Sequence, residues 1–133
     1  MPYNLGAPVS YGFPIEDSMF TYLLSGTITA ADVGKAVMLD TTAANTVRLT
    51  QAAEDVVFGR LETFEDRIAL GIKVGTVARG FKDKLPKAAN VITVGQSVAG
   101  SAVAGIVKAA LTQDTNRNIV IEVGTDFVVV EKR

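Results

Sequence analysis

The chain has 133 residues with 13 basic and 14 acidic side chains, a formal charge of -1, and 48% hydrophobic against 20% charged residues. This composition suits one domain with a buried core and a radius of gyration of about 14 Å, and it offers no general electrostatic pull toward nucleic acid or anionic lipid. Cys, His and Trp are all absent, which excludes disulfides, Cys/His zinc sites, iron–sulfur and haem ligation, and every Ser-His or Cys-His dyad. Carboxylates, Lys, Tyr or a carboxylate-bound Mg²⁺ or Ca²⁺ are what an enzyme would have left.

Residues 1–18 hold Pro2, Pro8 and Pro14 together with Gly6, Gly12, Tyr3, Tyr11 and Phe13. Proline at this spacing rules out a helix and predicts an extended arm. Tyr3, Leu5, Val9, Tyr11 and Phe13 are its candidate anchors for a neighbouring subunit, the alternative being a frayed terminus. Met1-Pro2-Tyr3-Asn4-Leu5-Gly6 lacks the basic and apolar regions of a secretory signal, and the most apolar run, Val98 to Val107, is about half a membrane span. A membrane partner is not expected.

The chain's 39 β-branched residues (18 Val, 8 Ile, 13 Thr) argue for an all-β fold, regular from Met19 onward, since they pack well on a pleated surface and lose rotamer freedom in helices. The pattern predicts a single β-rich domain over 19–133, a compact barrel or sandwich. Its strands are expected near 20–25, 36–40, 46–50, 56–63, 72–79, 91–93, 97–99, 106–110, 119–123 and 127–131. Polar turns at 41–45, 114–118 and 124–126 read as hairpin connections. Helical periodicity is confined to single turns at 30–34, where Thr29 is the cap, and at 51–55. Val33-Gly34-Lys35-Ala36-Val37 is echoed by Val94-Gly95-Gln96-Ser97-Val98, and Val47-Arg48 by Val107-Lys108, which suggests two similar hairpin units or simply recurrent turn chemistry.

The charged constellations are weak carriers of chemistry. Glu16-Asp17, Glu54-Asp55 and Glu65-Asp66 are sequence neighbours, which on a strand point to opposite faces; 62–67 is expected to be a solvated, partly ion-paired loop, with a carboxylate metal site through Glu62, Glu65 and Asp66 the lesser alternative. The basic stretch with Arg79, Phe81, Lys82, Lys84 and Lys87 reads as a solvated contact loop, an anionic protein surface being its second reading and nucleic acid its third. No phosphate-cradling glycine motif and no GxSxG elbow occurs, so no catalytic residue, metal or cofactor is assigned. The Val run of 127–131 would be a hazardous free edge and is expected to be buried between partners.

The order of arm, Val33-Gly34-Lys35-Ala36-Val37-Met38-Leu39-Asp40, Thr46-Val47-Arg48-Leu49 and Val57-Phe58-Gly59-Arg60-Leu61-Glu62, continuing through Gly71-Ile72-Lys73-Val74-Gly75 to the second Val94-Gly95 unit, resembles the small capsid decoration, or cement, proteins of tailed bacteriophages. The resemblance implies a non-enzymatic virion protein on the outer capsid surface, assembled in the host cytoplasm, often a homotrimer, clamping neighbouring major capsid subunits. A small β-barrel ligand- or carbohydrate-binding module of a phage tail or fibre is the alternative.

Overall fold

A computed structural model describes residues 19–113 and 117–133. The expected arm, with Tyr3, Leu5, Val9, Tyr11 and Phe13, lies outside the described residues, as does the centre of the 114–118 loop. The chain is all-β, as its β-branched content predicts. Its strands are β1 (Met19–Leu24), β2 (Ala36–Leu39), β3 (Thr46–Leu49), β4 (Gly59–Leu61), β5 (Glu65–Arg67), β6 (Ile72–Ala78), β7 (Phe81–Pro86), β8 (Val98–Gly100), β9 (Val107–Ala109), β10 (Asn118–Val123) and β11 (Phe127–Lys132). Short 3₁₀ turns at Ala30–Asp32 and Ile68–Leu70 are the helical elements among the described residues.

The first half closes into a five-stranded barrel. Strands run in the order β1-β3-β2-β4-β6, and β6 returns to pair with β1. All these pairings are antiparallel except β1 with β3. Leu24, Ile28, Val37, Val47, Leu49, Leu61 and Val77 fill the barrel, with Tyr22, Phe58 and Phe64 packed around them. The Tyr22 and Phe58 rings meet edge to face at 5.6 Å.

The second half repeats this strand order as two separate sheets, β10-β11-β7 and β8-β9, with Val98 of β8 joined to β10 through the Asn118 side chain. β7, β9, β8, β10 and β11 stand where β1, β3, β2, β4 and β6 stand in the first, and the register of β7 on β11 reproduces that of β1 on β6: Asp83 faces Val130 as Phe20 faces Val77, and Leu85 faces Val128 as Tyr22 faces Gly75. The parallel contact survives as a single bridge between Lys87 and Val107. Gly34 N–H donates to the Leu61 carbonyl at 2.7 Å while Leu61 N–H donates to Lys35 at 3.0 Å; Gly95, Val120 and Gln96 form the same pair of bonds at 2.8 Å each. Both glycines sit at positive φ, 93° and 95°, a conformation that carries a steric penalty for residues with a Cβ. The weak sequence echo is therefore the visible part of a tandem architecture running through the described residues, with β5 and its 3₁₀ turn as an insertion in the first copy.

Equivalent positions supply equivalent core residues. Val98, Val107, Val120 and Val130 correspond to Val37, Val47, Leu61 and Val77, and they pack with Phe81, Leu85, Ile92 and Val128. Ala36, Val57 and Ala78 of the first unit join this second core. Apolar packing thus spans both units.

Five expectations are corrected. The 79–87 segment is not a solvated loop but contains β7, whose Phe81 and Leu85 are buried at 5% and 0% exposure. Because β7 exists, the Val run of β11 is the central strand of the β10-β11-β7 sheet and is covered within its own chain, not by a partner. The 62–67 loop contains the short strand β5, paired with β6. The expected strand at 91–93 is irregular backbone, where Ile92 is buried as a core anchor, and 51–55 is a turn held by the Asp55 carboxylate, which accepts from Gln51 and Ala52 N–H at 3.0 and 2.9 Å.

Candidate interaction surface

The basic residues singled out in the sequence do not form one patch. Arg79 lays its guanidinium over Phe58, 3.8 Å from the ring centroid, and donates to the Phe58 carbonyl. Phe81 is buried and unavailable for stacking on a ligand. Lys82 and Lys84 are exposed, Lys82 opposite Glu131 and Lys84 over the Phe127 ring at 4.4 Å. Lys87 is half-buried and donates to Ala88 O. A flat basic face able to follow a phosphate backbone does not result. Nearby Lys132 is held below the usual lysine range by its burial and by the Arg79 and Arg117 charges.

The carboxylates are likewise dispersed. Glu62 accepts from Arg60 at 2.7 Å and Glu65 from Arg67 at 2.7 Å, while Asp66 lies across from Lys73 in the β5–β6 register. Among the described residues no group of three or more acidic side chains converges on a point that would hold a metal ion. An open groove of about 260 Å³ lies between the end of β1 and the start of β6, lined by Leu23, Leu24, Gly26, Thr46, Gly71, Ile72 and Lys73. Its polar atoms are engaged: Lys73 Nζ donates to Gly26 O and Ile28 O at 2.9 Å each, and Thr46 Oγ1 donates to Ala44 O. That leaves little for a polar ligand to bind.

Asp32 illustrates how the turns are fixed. Burial opposes its charge, but the Thr29 N–H at 2.9 Å, the Lys35 ammonium at 2.9 Å and the Thr29 hydroxyl hold its carboxyl below the ordinary 3.8. A depressed folded-state value contributes stability that is complete above the unfolded value and lost as pH falls through the folded one. Asp32→Asn is therefore expected to lower stability by about 1–2 kcal/mol at neutral pH, and the gap from wild type should close below pH 3.8 when urea melts are compared across pH.

Large apolar side chains also stand on the surface. Ile68 and Leu70, on the 3₁₀ turn of the inserted segment, are 81% and 67% exposed; Val91 and Leu111 are 82% and 83% exposed. Met19 and Phe20 on β1, and Ile121 and Val123 on β10, are also open to solvent. Sequence reasoning missed these positions, because the residue types are those of a core and only tertiary placement tells them apart. The two units meet at a polar clasp. Arg60 on β4 donates through Nε to Lys84 O at 2.8 Å and faces Asp83 of β7 at 3.4 Å, and Glu54, at a positive φ of 69°, accepts from Lys108 Nζ and from Leu111 N–H.

Comparison with protein-family models, curated proteins and solved structures found no match.

Proposed function

We propose that this chain is a structural virion protein that binds the outer surface of a phage capsid and stabilises the head by clamping neighbouring major capsid subunits. The reading is supported by the order of motifs from Val33 to Val98, which resembles the decoration proteins. The observation that carries it is the set of large apolar side chains, Ile68, Leu70, Val91 and Leu111, standing in solvent on a scaffold held together by strand pairing. Contiguous exposed apolar groups mark surfaces that meet another protein, and Ile68 and Leu70 share one exposed 3₁₀ turn. The proposed arm would add backbone hydrogen bonds to a capsid strand and place Tyr3, Tyr11 and Phe13 in pockets, and many such contacts on a closed lattice multiply in avidity.

Removal of residues 1–18 is expected to leave a folded protein that no longer co-sediments with expanded, undecorated heads. Full retention of head binding by the truncated chain would refute the role of the arm, and failure of the intact chain to sediment with heads from any tailed phage of its host would refute the capsid reading itself.

A further inference from the structure

Because the units are repeats, the contact between them is head to tail. β4 of the first unit meets β7 of the second, so the matching surfaces, β10 of the second unit and β1 of the first, have no such contact among the described residues. The residues at the matching positions are changed together. Arg60 on β4 and Glu62 just after it correspond to Ile119 and Ile121 on β10, a correspondence fixed by the pairing of Leu61 with Val77 and Val120 with Val130. Even the bulge is shared: Glu62 and Thr63 N–H both reach Thr76 O, and the β10–β11 register slips between Val120 and Glu122. On the other side Asp83 and Lys84 of β7 correspond to Phe20 and Thr21 of β1. Where the internal joint has an ion pair, the two open faces carry Ile and Phe.

We propose that β10 of one copy docks on β1 of the next, repeating the internal joint between copies with Ile119 and Ile121 packed against Met19 and Phe20 in place of the Arg60–Asp83 clasp. Complementarity supports the pairing. Phe20 is 49% exposed, Met19 41% and Ile121 36%, and the four aligned positions, Met19, Phe20, Ile119 and Ile121, carry no charge. Backbone geometry supports it too. Leu23 and Ser25 N–H donate toward β3, so by strand alternation Thr21 turns its N–H and C=O to the same edge, as Lys84 O is turned toward Arg60. The joint between copies is related to the internal one without being superposable on it. Leu39 stands where Gly100 packs against Asp55 and Thr50, and Gln113 Oε1 takes the Ser97 N–H, whose counterpart on Ala36 donates across the joint to Gly105. That side must open by about the width of a side chain.

This proposal does not depend on the capsid reading, and its test is run without heads. Sedimentation velocity of the full chain is expected to show species that are multiples of 14.0 kDa and grow with concentration. Phe20→Asp and Ile119→Arg, each with a wild-type circular dichroism spectrum, should each weaken association at least tenfold. Mixing the two variants should restore it, because Arg on one copy then meets Asp on the next, and a two-fold interface in which each face meets itself would not be rescued. Ile121→Lys, at an exposed position, serves if Ile119→Arg disturbs folding. A wild-type chain that stays at 14.0 kDa at every concentration, folded variants that associate as wild type does, or a mixture that stays dissociated would each overturn the proposal.

Discussion

Replacing Leu85 by Ala is expected to lower the unfolding free energy by about 3 kcal/mol, measured as a fall in denaturant midpoint at unchanged slope. Leu85 is fully buried on β7, paired with Val128 and packed in the core shared by the two units. Truncating it removes apolar burial and leaves a cavity that β-strands on every side are poorly placed to fill. Leu111→Ala is the control. That side chain is 83% exposed, so its loss should stay within about 0.5 kcal/mol. Equal, small effects at both positions would mean that 81–86 is the solvated loop its charges suggest.

Those charges explain what was legible in the sequence. Strands rich in β-branched residues, such as Ile72–Ala78 and Phe127–Lys132, could be read directly, and so could the 41–45 hairpin and the Thr29–Asp32 turn. Phe81-Lys82-Asp83-Lys84-Leu85 alternates as a strand should, with Phe81, Asp83 and Leu85 on one parity, but the middle position of that set is a half-exposed aspartate. It is tolerated there because Arg60 arrives from a strand more than twenty residues away, and no local pattern announces that partner. Missing β7 then made β11 look like an edge. The tandem plan was hidden for a related reason. Backbone hydrogen bonds and register carry it, while the side chains at its joints differ, ionic at one and apolar at the other, so residue identity shows it only at the Val-Gly turns and a few core valines. The surface was the least legible part, since Phe20 and Ile121 are of core residue types and only their exposure among the described residues sets them apart.

Arg60 is where the repeat, the joint and its energetics meet. Its side chain is 15% exposed and binds Glu62 at 2.7 Å, Lys84 O at 2.8 Å and Asp83 at 3.4 Å, so Arg60→Ala leaves a half-buried carboxylate and a strand carbonyl without their donor. A loss of about 2–3 kcal/mol is expected. Arg60→Lys should recover only part of it, because an ammonium is a point charge that cannot reproduce the fork spanning Glu62 and Lys84 O. Asp83→Ala should cost under about 1 kcal/mol, since that carboxylate is half exposed and solvent replaces the interaction. The decisive comparison is Arg60→Ile with and without Asp83→Phe, which installs at the internal joint the residues found on the open faces. If the two kinds of joint are variants of one design, the double replacement should be clearly more stable than the sum of the two single losses predicts, the coupling appearing in a thermodynamic cycle from urea unfolding. Additive losses would show that Ile119 and Phe20 sit on surfaces unrelated to the clasp, and would remove the structural ground for joining copies through them.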